Sequence, residues 1–150
     1  ALRADLEELV DSLVLLHRRK LSLLEGFARS LADKRYFLRT GDTERLAEAV
    51  ACDNSLFELI DTIDFEIGST IDRMAAINGT DRNGLEDLLK KSGAPGAAGL
   101  FEIRSAVRRV LKNSSVEHDE LIHQMEKVSS KIRSDADSLS GHLKFEPFDR

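Results

Sequence analysis

Arg39-Thr40-Gly41-Asp42-Thr43-Glu44-Arg45-Leu46 decides the fold, because it is a short break between two long helical patterns. Gly41 suits the left-handed residue that follows a helix C-terminus, and Asp42 suits the N-cap of the helix after it. Upstream, Leu2, Leu6, Leu9, Leu13, Leu16, Lys20, Leu24, Phe27, Leu31, Lys34 and Leu38 follow steps of three and four, and nine of these eleven are apolar. The spacing predicts one long helix over 2–39. Val10, Val14, Leu21 and Ala28 add a second stripe, so this helix has two faces to bury. Downstream, Leu46, Ala49, Asp53, Leu56, Ile60, Ile63, Ile67, Thr70, Met74 and Ile77 repeat the pattern and predict a second helix over 43–77. So short a turn makes the two antiparallel.

Beyond residue 77 the pattern breaks. Asn78-Gly79-Thr80-Asp81-Arg82-Asn83-Gly84 is a turn cluster, residues 85–91 suit a short amphipathic helix, and the Gly- and Ala-rich stretch 92–99 reads as a flexible connector. Leu100, Ile103, Val107 and Val110 or Leu111 begin a third helix, and Leu121, Met125, Val128, Ile132, Leu139 and Leu143 continue its seam, giving a helix over about 100–140. Between these runs Asn113, Ser114, Ser115, Glu117, His118 and Asp119 place polar groups on the seam. One continuous helix with a kink or a polar layer is expected there; the alternative is a capping box, Ser114-x-x-Glu117, opening a new helix. Gly141 is expected to stop the helix and Pro147 to prevent another, leaving Leu143, Phe145 and Phe148 on a C-terminal tail over 141–150. The predicted architecture is all-α: one domain over 1–150, an elongated antiparallel three-helix bundle with a short helix in the connector.

Composition agrees with amphipathic helices and excludes other classes. Of 150 residues, 33% are charged, 41% are apolar and two are Pro, which rules out disordered and collagen-like chains. With 22 basic against 27 acidic residues the net charge is −5, which argues against a nucleic-acid partner. The imbalance is local: residues 41–79 carry 9 acidic and 2 basic side chains. Cys52 is the one cysteine, so no internal disulfide or cysteine-based zinc site can form, which suits a reducing cytoplasm. No apolar run approaches the ~18 residues of a membrane span, and the acidic first residues are unlike a signal peptide.

Glu120-x-x-His123 has the spacing of one half of a di-iron carboxylate site, but the second half is missing. His118 and His123 diverge around a helix, and no His-Glu-x-x-His occurs. His17-Arg18-Arg19-Lys20 and His142-Leu143-Lys144-Phe145 are the candidates for a phosphotransfer histidine; the first lacks the small neighbours that admit a phosphate, and the second lies in the expected tail. No Gly-rich phosphate loop is present. The sequence therefore points to no catalytic residue, no cofactor and no metal, and to a bundle that offers surface. Phe65 stands out: on the helical wheel it lies opposite the seam, among Glu58, Asp61, Ser69 and Asp72. It is expected to be covered by the connector or third helix, or else to be a partner contact.

A Leu-rich first helix, the break Gly41-Asp42-Thr43-Glu44-Arg45-Leu46, a second long helix, a loop and a third long helix together resemble the FlgN-like flagellar export chaperones, over about Leu2 to Leu139. At the Asn-rich positions that precede the family's third apolar run this chain has Asn113 and then Glu117-His118-Asp119. The resemblance implies a cytoplasmic, ATP-independent chaperone that binds helical ends of hook-associated proteins and delivers them to the flagellar type III secretion apparatus. It also implies client contact through the C-terminal segment, here Leu121, Met125, Val128, Ile132, Leu139, Leu143, Phe145 and Phe148. The alternative is a structural or adaptor bundle that binds another protein or a second copy of itself.

Overall fold

The computed structural model describes residues 4–125, 128 and 130–144. Among these there is no strand, and the helices are α1 (Ala4–Thr40), α2 (Thr43–Ile77), α3 (Arg82–Ser92), α4 (Pro95–Gln124) and α5 (Ser130–Asp137), closed by a 3₁₀ helix, Ser138–Leu143. The all-helical reading holds, and the count of three long helices does not. The expected third helix is divided between α4, α5 and the 3₁₀ turn, with Val128 N–H donating to the Met125 carbonyl at 3.1 Å in the break. Val128 is β-branched and a poor helix former. The polar run 113–119 is continuous helix within α4, so no new helix opens at Ser114.

The α1–α2 turn is built as its residues require. Gly41 has φ 75°, and the amide of Asp42 donates to the Phe37 carbonyl at 2.9 Å while that of Gly41 reaches the Leu38 carbonyl at 3.4 Å. These two bonds satisfy carbonyls that the helix end leaves open. Asp42 then caps α2, accepting from the Arg45 amide at 3.2 Å. Asp81 does the same for α3, accepting from the Gly84 amide at 2.8 Å. α3 exceeds the expected 85–91 at both ends, and α4 starts at Pro95 rather than near 100, so the anticipated flexible connector contracts to Gly93-Ala94. A proline suits a first helical position, where its missing N–H has no partner to lose.

The chain divides into two compact units. The first comprises the stretch to Leu21 with Asp61–Val107. Its core joins Leu6, Val10, Leu13 and Leu16 of α1, Ile67, Ile71 and Met74 of α2, Leu85 and Leu89 of α3, and Ala97 and Leu100 of α4. α3 is thus a full packing element, both of whose buried leucines enter the core. Gly96 lets α4 approach α1 closely, since a Cβ there would stand 3.3 Å from Val10 Cγ1.

The second unit comprises Ser22–Ile60 and the described residues from Arg108 onward. Its buried apolar residues include Leu24, Phe27, Leu31, Leu46, Val50, Phe57, Leu111, Leu121, Met125, Ala136, Leu139 and Leu143. Phe27 and Phe57 meet edge to face with centroids 5.1 Å apart. Along α2 the buried line is displaced by one residue from the expected seam at three places: Val50, Phe57 and Ile71 are buried, whereas Ala49, Leu56 and Thr70 are half-buried. One residue is 100° of helix rotation, and an apolar face packed against two neighbours is wide enough to accept either line.

Candidate functional site

A polar group on a core face is costly unless it is paired, and the apolar seams carry several such exceptions. In the second unit Lys34, expected on the α1 seam, is fully buried, and its Nζ lies 2.5 Å from Asp53 Oδ2, the polar residue on the α2 seam. The Ser30 hydroxyl donates to the same carboxylate at 3.2 Å. Nζ also sits 4.5 Å above the Phe27 ring. His118 of α4 completes the layer, with its ring centroid 5.7 Å from that of Phe27. His118 is fully buried, and among the described residues neither ring nitrogen has a hydrogen-bond partner. Burial, reinforced by the Lys34 charge, holds His118 below the usual imidazole range, although the Ala136 backbone and the Asp119 and Asp53 carboxylates act the other way. Burial likewise pushes Asp53 up and Lys34 down, more than their mutual attraction restores. Lys34, Asp53 and His118 are all turned away from solvent.

The first unit repeats the device. Lys20, the other polar seam residue of α1, is buried and pairs with Asp64 at 2.7 Å. His17 is buried and donates from Nδ1 to the Leu13 carbonyl at 2.8 Å, which leaves it no role as an exposed phosphate acceptor. Burial lowers it to about 4, with Lys20 and Arg104 adding to the effect and Leu13 and Asp64 opposing it. Arg104, also buried, reaches Glu86 at 3.5 Å.

The residues named from sequence separate into two groups. Phe65 is 77% exposed, so the expected cover by the connector or third helix is absent among the described residues. Leu121, Met125, Leu139 and Leu143 are buried in the core of the second unit, and Val128 and Ile132 are half-buried. The surface those four would have offered a client is therefore turned inward in this structure. Gly141 lies within the closing 3₁₀ helix rather than ending a longer one, and Phe145 and Phe148 lie outside the described residues. Glu120 and His123 are both exposed, and no cluster of three His, Cys, Asp or Glu suited to a metal occurs among the described residues.

What Phe65 belongs to was not legible in the sequence. It lines an open groove of about 410 Å³ in the first unit with Ser12, Leu15, Leu16 and Arg19 of α1 and Glu66, Ser69, Thr70 and Arg73 of α2. Leu15 is 56% exposed there. The available signal was the Leu15-Leu16 doublet: the seam takes Leu16 and leaves Leu15 a 100° step away. A second concavity, in the other unit, is lined by Ile122, His123, Ser130, Arg133, Ser134 and Asp137, most of them exposed and polar. Comparison with known protein families, curated proteins and solved structures finds no match to this chain.

Proposed function

We propose that this protein is a non-enzymatic helix-binding module, and that it serves as a cytoplasmic export chaperone of the FlgN-like kind for helical ends of hook-associated proteins. The observation that carries the reading is the pair Leu15 and Phe65, two large apolar side chains left in water along one groove between α1 and α2. Burying each stabilises a complex by about 1.5–3 kcal/mol, and anchors of this kind placed in a groove are how helical bundles hold a partner helix. Release from such a groove needs no nucleotide or chemical step. The buried state of His17 and His118 supports the non-enzymatic part, since neither ring has an open face for a reactant.

The test is titration calorimetry and light scattering with the terminal helical segments of hook-associated proteins. A one-to-one complex that is lost in Phe65→Ser is expected. Absence of heat and of complex with these segments removes the chaperone reading. A mass that rises with concentration for the chain alone, and that Phe65→Ser returns to monomer, replaces it with self-association.

A further inference from the structure

The charges around the groove identify the kind of helix it fits. Two guanidinium side chains, Arg19 on the α1 wall and Arg73 on the α2 wall, flank the apolar strip against one carboxylate, Glu66. Both arginines are exposed, and among the described residues neither is held in an ion pair. Two acids elsewhere on this stretch of α2 already hold a cation: Asp64 pairs with Lys20, and Asp72 with Arg82 at 2.9 Å. The strip between them carries the hydroxyls of Ser12, Ser69 and Thr70. Two arginines to one glutamate make a basic rim on a chain whose net charge is −5, and they bring two forked donors to the groove that holds Leu15 and Phe65.

We infer that the Leu15–Phe65 groove docks an amphipathic helix whose apolar anchors are flanked by Asp or Glu, with Arg19 and Arg73 gripping those carboxylates from opposite walls. This rests on the groove being a docking surface. Rim charges of this type set orientation and partner choice more than raw affinity, and their effect fades with salt. They also discriminate against a Lys-flanked helix of identical apolar face, which would place like charges against both walls.

Two synthetic helical peptides of about 18 residues, sharing one Leu-rich face and differing only in Glu or Lys flanks, are titrated against the full chain by fluorescence anisotropy at about 50 and 300 mM salt. The Glu-flanked peptide is expected to bind roughly tenfold tighter at low salt, with most of that advantage gone at high salt. Arg19→Glu/Arg73→Glu should reverse the preference while the melting temperature holds, and Phe65→Ser should abolish binding of both peptides. Equal binding of the two peptides, lost in Phe65→Ser, overturns the acidic partner and leaves the docking surface standing. Failure of both peptides to bind, binding indifferent to Phe65→Ser, or occupation of the groove by a second copy of the chain overturns the inference and the surface together.

Discussion

Lys34 Nζ and Asp53 Oδ2 meet at 2.5 Å with both side chains almost wholly out of water, joining two residues that each interrupt an otherwise apolar helix face. Such a pair adds little net stability because desolvation of two ions offsets their attraction, yet removing one partner strands the other. Lys34→Met or Asp53→Leu alone should lower the urea unfolding free energy by about 3–5 kcal/mol. Lys34→Met/Asp53→Leu should return most of that loss. If the double variant is as unstable as the sum of the singles, the two residues do not act as a pair.

Acid should destabilise the protein well above the range where ordinary carboxylates titrate. His17 and His118 are kept neutral by burial, so below the ordinary imidazole value of 6.5 the unfolded chain takes up protons that the folded chain refuses. Stability is therefore full above about pH 6.5 and falls toward pH 4, with His17 alone accounting for about 2 kcal/mol by pH 5. Asp53, whose folded value is raised, binds its proton early and opposes this in the acid part of the window. Urea midpoints at pH 7 and pH 5 provide the measurement, and His17→Leu/His118→Leu should flatten the difference. Equal midpoints in the parent protein would contradict the burial argument.

The α1–α2 turn should be sensitive to small changes. Gly41→Ala meets no neighbouring atom, so its cost is the strain of a left-handed alanine, about 1 kcal/mol. Asp42→Ala removes the acceptor for the Arg45 amide and should cost a similar amount, about 1 kcal/mol. Asp42→Ser should recover most of it in thermal melts, whereas no recovery would mean that Asp42 acts by something other than capping.

Phe65→Ser and Leu15→Ser should leave the melting temperature within about a degree or two of the parent, because side chains that are 77% and 56% exposed contribute little packing. A loss of several degrees in Phe65→Ser would assign this residue to the fold and withdraw it from the groove.

Much of the fold could be read in advance because local rules write it into neighbouring residues. The steps of three and four along α1 and α2 place apolar groups on one face whatever the helix packs against, and Gly41-Asp42 closes α1 and opens α2 through bonds within a few residues. The polar exceptions Lys20, Lys34, Asp53 and His118 were visible as exceptions. Their partners were not, since Lys34 and Asp53 are 19 residues apart and Lys20 and Asp64 are 44 apart, and only packing brings them together. Packing likewise chose Val50, Phe57 and Ile71 over their neighbours, drew α3 into the first core, and turned Leu121, Met125, Leu139 and Leu143 inward. Phe65 could be placed opposite the seam from the wheel alone; that it shares a groove with Leu15, Arg19 and Arg73 depends on how α1 lies along α2, which no periodicity within one helix encodes.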